Sequence, residues 1–315
     1  MIKIEHYNSS SRKEWNEFVN RSRNGTFLFN RDYVEYHRDR FSDASLVLYD
    51  KGSIVALFIA NSSENFIVSH GGLTYGGLIY GISCGTKKVV DLIGKIVDYY
   101  SMEGYSKIIY KAIPYIYPKF PSGEDLYALF RNNFVLKRRD VSVSIDLRTD
   151  FRFSGSRNRA IRKALRNNPD ITVRETDDFR TYWEILSKNL MSRYGRSPTH
   201  SVDEIVLLKN LFPQNIHLYA SFLNDEMLSG VIVYEVNSVA HLQYIASSDR
   251  GRQTGALDLV ISELIKMYKR RGFNFFDFGI STEKDGKYLN ENLIFYKESF
   301  GATAICYDWW ELTMK

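Results

Sequence analysis

Residues 239–279 read VAHLQYIASSDRGRQTGALDLVISELIKMYKRRGFNFFDFG, and the order of elements in this stretch decides the fold. Val239–Ala246 has a strand pattern. A polar segment with two glycines follows, Ser247–Ala256. Gly255–Arg271 is amphipathic at helical spacing and is stopped by Gly272, a residue suited to the left-handed backbone just past a helix end. Asn274–Gly279 is then a strand. Upstream, His217–Leu223 and Met227–Glu235 read as two strands about Asn224-Asp225, a hairpin signal. Downstream, Glu291–Phe300 reads as a helix and Thr303–Leu312 as a closing strand. Hairpin, third strand, glycine turn, long helix and strand together describe an α/β (α+β) unit with a mixed, mostly antiparallel sheet flanked by helices.

The first half repeats the plan without repeating the sequence. Met1–His6 is a strand, and Ser11–Arg21 a helix with Trp15, Phe18 and Val19 on one face. A short helix is expected around Arg31–Arg40. Ala44–Tyr49 and Ile54–Asn61 pair about Asp50-Lys51-Gly52. Strands at Phe66–His70 and Gly76–Tyr80 lead to a helix over Lys87–Glu103, a strand at Lys107–Ala112, a helix at Leu126–Asn133 and a strand at Val141–Leu147. Helices at Arg157–Asn167, Phe179–Tyr194 and Val202–Phe212 open the second half. A chain of 315 residues suits two cores. The expected domains are 1–150 and 151–315, with the seam near Asp150 and Arg148–Ser156 as a short polar crossover.

Composition narrows the class. Hydrophobic residues at 44% and charged residues at 25% are enough for packed cores and exclude a disordered chain. An aromatic share of 15% suits both dense cores and clefts that stack on large ligands. A net charge of +5 is a mild draw on anionic ligands such as nucleotides, CoA esters or RNA. The two cysteines, Cys84 and Cys306, lack metal-ligand spacing, so no zinc or other metal site is expected. They read as free thiols of a reducing compartment. Met1–Tyr7 has no signal-peptide core, and the longest apolar stretch, Ser53–Ala60, is strand-length. The expectation is a soluble, cytoplasmic protein without a transmembrane segment.

The second-half order resembles the GNAT acyltransferase superfamily. Several pieces resemble its FemAB-like branch, whose members carry two such folds in tandem. They are Gly255-Ala-Leu-Asp258 opening the long helix, Phe275-Phe-Asp-Phe-Gly279 on the next strand, and Tyr296-Lys297 with Phe300-Gly301 after it. Gly25-Thr-Phe-Leu28 and Gly71-Gly-Leu-Thr-Tyr-Gly-Gly77 add to it in the first half, so the resemblance covers nearly the whole chain. It implies an acyltransferase with an N-terminal acceptor domain and a C-terminal donor and catalytic domain. The donor would be acyl-CoA or a carrier thioester. The acceptor would be an amine, here an amino sugar or nucleotide sugar in surface-polysaccharide biosynthesis. An aminoacyl-tRNA-dependent aminoacyltransferase is the alternative, and a non-catalytic, ligand-binding double fold a second. Two departures stand out. The usual donor loop, Arg/Gln-x-x-Gly-x-Gly/Ala, is matched by Arg252 and Gly255, but Leu257 holds its last position. The long helical arm of the tRNA-using peptidoglycan enzymes has no counterpart.

Acyl transfer to an amine needs a base for the amine, donors for the tetrahedral oxyanion and a route for the leaving group. For donor binding, Ser247, Arg250, Gly251, Arg252, Gly255 and Ala256 precede or open a helix, where backbone amides and arginines can hold phosphate; an ordinary strand-to-helix turn is the other reading. His241, Gln243 and Ile245 alternate on one strand face, which makes His241 a candidate base or ligand and Gln243 an acceptor contact. Asp277 stands between Phe276 and Phe278, where a carboxylate needs a partner. It is the rival base, or half of a structural pair with Lys297 or an arginine. In related enzymes a tyrosine placed like Tyr296 serves as acid, and a lysine placed like Lys297 binds phosphate or the acyl oxygen. In the first half, four glycines surround His70, Thr74 and Tyr75, which are expected to be exposed as an acceptor-binding wall; a tight turn is the alternative. Arg139 is added as an acceptor contact. The basic helix Arg157–Arg166 would dock RNA or a phosphorylated carrier, or carry solvated charge.

Overall fold

The computed structural model describes residues 2–314. In chain order the elements are β1 (Ile2–His6), α1 (Arg12–Arg21), α2 (Arg31–Val34), β2 (Ser42–Asp43), β3 (Leu46–Asp50), β4 (Ser53–Ile59), β5 (Asn61–Ser63), β6 (Phe66–Val68), β7 (Gly77–Tyr80), α3 (Thr86–Met102), β8 (Lys107–Lys111), α4 (Glu124–Arg131) and β9 (Val135–Asp146). There follow α5 (Gly155–Asn167), β10 (Thr172–Glu175), α6 (Phe179–Tyr194), α7 (Val202–Leu211), β11 (Ile216–Leu223), β12 (Glu226–Val236), β13 (Val239–Ser247), α8 (Asp249–Thr254), α9 (Ala256–Arg270), β14 (Phe275–Ile280), β15 (Thr282–Glu283), β16 (Tyr288–Leu289), α10 (Glu291–Glu298) and β17 (Thr303–Thr313).

The chain forms two compact units, and a single cut near Asp150 does not separate them. One comprises Met1–Val141, Glu283–Tyr288 and Cys306–Lys315; the other comprises Ser142–Thr282 and Leu289–Ile305. Both are mixed α/β. In the first, β1-β3-β4-β7 form an antiparallel sheet. The β3–β4 hairpin turns on Lys51 and Gly52, both at positive φ, as the Asp-Lys-Gly signal implied. A second group of strands runs β17-β8-β6-β5-β2. Leu46, Phe58, Leu92, Ile96 and Tyr110 belong to this unit's core. In the second unit the order is β10-β11-β12-β13-β14-β9. Here α9 and α5 cover one sheet face, burying Val260, Leu264 and Ile265 against Val231, Val233 and Phe276.

Three expectations on element bounds are corrected. The helix expected over Arg31–Arg40 is α-helical for one turn and continues as a 3-10 turn, Glu35–His37. β9 begins at Val135, six residues before the expected Val141. The segment Ser247–Ala256, read as a loop, contains α8, because Ser248 accepts a hydrogen bond from Gly251 N–H (3.0 Å) and so starts a helix there.

Candidate active site

The second unit opens where two parallel strands part. β13 and β14 pair only at Val239–His241 with Phe275–Asp277 and then separate, leaving a crevice beyond their carboxyl ends. Against β12, β13 carries one extra residue: Ile232 faces Tyr244 while Val233 faces Leu242, so Gln243 is a bulge. The bulge corrects the expected alternation. His241 and Tyr244 lie on one face, while Ile245 packs with the α9 side, so His241, Gln243 and Ile245 do not share a face.

Beyond the parting strands lies a cavity of about 550 Å³. Its walls come from α6 (Leu186, Asn189, Leu190, Arg193), β13 (Ile245–Ser247), the α8–α9 junction (Gly251, Arg252, Gly255, Leu257, Asp258), and Asn290 with α10 (Asn292, Leu293, Tyr296, Lys297). Six of the expected site residues meet here: Ser247, Gly251, Arg252, Gly255, Tyr296 and Lys297. Arg250, Ala256, His241, Gln243 and Asp277 are not among its lining residues. Arg250 pairs with Glu226, and Ala256 is fully buried at the start of α9.

Lys297 is 4% exposed, and its ammonium donates to the carbonyls of Gly279 and Ile280, both at 2.8 Å. Burial lowers its pKa to about 8, partly opposed by the negative charge of Asp277. Asp277 is fully buried and is held by Ser142 and His241. It accepts hydrogen bonds from Ser142 Oγ (2.7 Å), from His241 Nδ1 (2.6 Å) and, more weakly, from Gly279 N–H (3.3 Å). A carboxylate at Nδ1 favours a ring proton there and fixes the orientation of the imidazole. The two residues read from the sequence as rival bases are therefore in contact with each other. Tyr296 donates to Asp258 Oδ1 (2.9 Å), and burial holds its phenol well above its ordinary pKa.

The donor loop also differs from expectation. Arg252 is taken up by Asp249, by the Ser247 carbonyl (2.7 Å) and by Asn189 Oδ1 (3.2 Å). Gly251 is demanded by packing, since a Cβ there would overlap the Leu228 carbonyl. The first-unit residues meet a similar correction. His70 and Tyr75 are each 2% exposed, not surface residues, and of the three only Thr74 is exposed. Tyr75 packs on Phe29 and Tyr117, and burial together with His37 lowers the His70 pKa to about 3. Arg139 makes a two-pronged pair with Asp308 at 2.7 Å.

Residues 154–297 match the acetyltransferase (GNAT) domain family. The second unit's core is a GNAT domain. Among solved structures, FemX shares 13% identity over 99% of this chain and 97% of its own, with a TM-score of 0.69. The C-terminal domain of a protein described as a lysylphosphatidylglycerol synthetase from Agrobacterium fabrum shares 11% over 97% and 92%, with a TM-score of 0.60. A tandem GNAT protein from the clavulanic acid biosynthesis pathway shares 8% over 99% and 98%, with a TM-score of 0.56. No curated protein matches the sequence. The chain thus carries a GNAT domain over residues 154–297 and shares the fold of FemX and of the tandem GNAT protein over nearly its whole length.

Sequence reading assigned nothing to the Asp258 side chain or to α6, and took Arg157 only as part of a basic docking helix. Arg157 pairs with Asp258, donates to Ser299 Oγ (2.9 Å), and lies over the rings of Tyr296 and Phe300 at 4.4 and 4.5 Å. Asp258 stood in a quoted motif, but its two partners are remote in sequence. His200 and Tyr244 were also missed: His200 Nδ1 lies 2.6 Å from the Tyr244 hydroxyl, on the bulged strand. The strand–helix–strand β7–α3–β8 of the first unit corresponds in order to β13–α9–β14, but there the gap is filled. Leu78 N–H donates to the Tyr110 hydroxyl (3.0 Å), which donates to buried Asp125 (2.9 Å). Gly77, at φ +90°, makes room for the Tyr110 ring. Among the described residues no cluster of metal ligands occurs, and no helix is long and apolar enough to cross a membrane.

Proposed function

We propose that this enzyme transfers an acyl group from an anionic carrier to an amine, with the chemistry in the cavity of the second unit. The observation that carries the proposal is Lys297, a buried ammonium on the wall of that cavity, joined through Gly279 to the Asp277–His241 pair. The amine attacks the acyl carbonyl and a C–N bond forms. The amine proton passes to the His241 imidazole, held in place by Asp277. The ammonium of Lys297 balances the oxyanion. The carrier C–S or C–O bond then breaks, and its sulfur or oxygen takes up a proton. Tyr296, whose proton is committed to Asp258, positions Arg157 and the cavity wall.

Acyl-CoA is the donor that the GNAT domain suggests. A second reading, an aminoacyl ester of tRNA, is favoured by α5. Its Arg159, Arg162, Lys163 and Arg166 are exposed on the helix that meets the cavity wall through the Arg157–Asp258 pair. The engaged state of Arg252 and the packed role of Gly251 speak the same way, because they leave the donor loop poorly suited to a pyrophosphate. The name of one structural neighbour, a lysylphosphatidylglycerol synthetase, also points to aminoacyl transfer. The acceptor we assign is an amino sugar of a surface-polysaccharide precursor, and the compartment is the cytoplasm. A non-catalytic double fold fits less well, because a buried ammonium at this position costs stability without return.

The test supplies acetyl-CoA or a mixture of aminoacyl-tRNAs, with amino-sugar and nucleotide-sugar acceptors, and detects the new amide by mass. Ribonuclease abolishes turnover if RNA carries the donor and leaves it untouched if CoA does. Turnover that persists in both His241→Gln and Lys297→Met at near the wild-type rate would falsify the site.

A further inference from the structure

The first unit carries an apolar surface that nothing in the acyl-transfer assignment uses. α4 has an inner face of Asp125, Ala128 and Leu129. Its outer face holds Leu126, Tyr127, Phe130 and Arg131, which at 100° per residue span one arc. An outer helix face is ordinarily polar. Here Phe130 is 68% exposed and Tyr127 47%. The strip continues past the helix N-terminus, where Phe120 and Ile82 are 51% and 54% exposed. Arg23 gathers these parts. It pairs with Glu124, donates to the Ile82 carbonyl (2.8 Å), and its own carbonyl accepts from Lys119 N–H (3.1 Å).

The charge of the strip has one sign. The Glu124 carboxylate is taken by Arg23 and by the Tyr80 hydroxyl (2.9 Å), and the Asp125 side chain is buried. Arg131 is exposed beside the rings, and Lys119, though exposed, donates its ammonium to the Asn20 carbonyl. Exposed aromatic and aliphatic side chains bordered by cations, with no uncompensated carboxylate between them, match the interface of a bilayer bearing anionic headgroups. A second copy of the chain fits worse, since a two-fold contact of this strip with itself would set cation against cation. We infer that the α4 face, with Phe120 and Ile82, docks the protein on an anionic membrane surface. The contact is peripheral: the rings enter the headgroup–acyl boundary while Arg131 meets lipid phosphates.

The inference is independent of the donor and acceptor. It is tested with the whole chain by co-sedimentation with phosphatidylcholine vesicles, with and without phosphatidylglycerol. The wild type sediments with phosphatidylglycerol vesicles and is released by salt. Phe120→Ser with Phe130→Ser lowers the partition at least about tenfold, and Arg131→Glu, which keeps every ring, lowers it about fivefold or more. Thermal melts of both variants stay near that of the wild type, because these side chains are exposed. Absence of wild-type binding overturns the inference, as does binding indifferent to the substitutions. So does a wild-type dimer in sedimentation velocity that the same substitutions dissociate, since the strip would then be a self-association surface.

Discussion

Replacing Lys297 with methionine separates stability from catalysis. The fall of its pKa from 10.5 to about 8 amounts to about 3 kcal/mol of cost for keeping the ammonium form buried. Methionine removes that cost. It also strips the Gly279 and Ile280 carbonyls of their donor, at roughly 1–3 kcal/mol each. The terms oppose one another, so the net change at neutral pH lies between about 1 kcal/mol of gain and about 3 kcal/mol of loss, and the melting temperature moves by about 10 °C or less. The pH dependence carries a definite sign. Between about 8 and 10.5 the unfolded chain binds more protons at this lysine than the native protein does. Native stability therefore gains from this group as pH rises through that window, and the penalty is full below it. The methionine variant loses this rise, measured as melting temperature or urea midpoint against pH. Turnover behaves differently. If the ammonium balances the oxyanion, kcat falls about 100-fold in the variant. The wild-type rate declines as pH climbs through about 8, a limb the variant lacks. A variant that keeps more than half the wild-type kcat, or a wild-type profile without that limb, refutes the role given to Lys297 even if the stability data agree.

Asp277→Asn removes the charge that supports the Lys297 ammonium, so the alkaline limb of the pH–rate profile moves to lower pH. It also costs about 1.5–3 kcal/mol of stability through weakened hydrogen bonds from His241 and Ser142, read by urea unfolding. Burial raises the Asp125 pKa from 3.8 to about 6, so its contribution to native stability is full below 3.8 and is lost as pH rises through about 6. Asp125→Asn therefore flattens the pH dependence of stability across that window, as seen in melts at successive pH values. Gly77→Ala forces a Cβ into the Tyr110 ring at φ +90° and costs about 3 kcal/mol or more. Thermal unfolding measures the loss, and a neutral result would show that the ring can yield.

Local pattern revealed most of the elements. The β11–β12 hairpin was legible because Asn224 and Asp225 tolerate the positive φ that the turn requires. α3 and α9 were legible because their apolar stripes repeat at helical spacing and Gly104 and Gly272 follow them. α8 was not, since a six-residue capped turn has too little periodicity to rise above a polar loop. The first-half glycine run was marked as unusual but given the wrong environment. His70 and Tyr75 look polar in sequence, and only their neighbours from other segments show them enclosed.

By itself, then, the sequence determined two α/β units and the crossover architecture, because helical and strand periodicity, caps and turns are properties of adjacent residues. Tertiary structure alone decided which side chains form the site. The bulge at Gln243 reverses strand faces without altering composition, and His241 meets Asp277 through a strand pairing that spans 36 positions. Helix α6 and α10, far apart in the chain, wall one cavity. Strand register and the burial of charge depend on contacts between distant segments, and no local pattern encodes them.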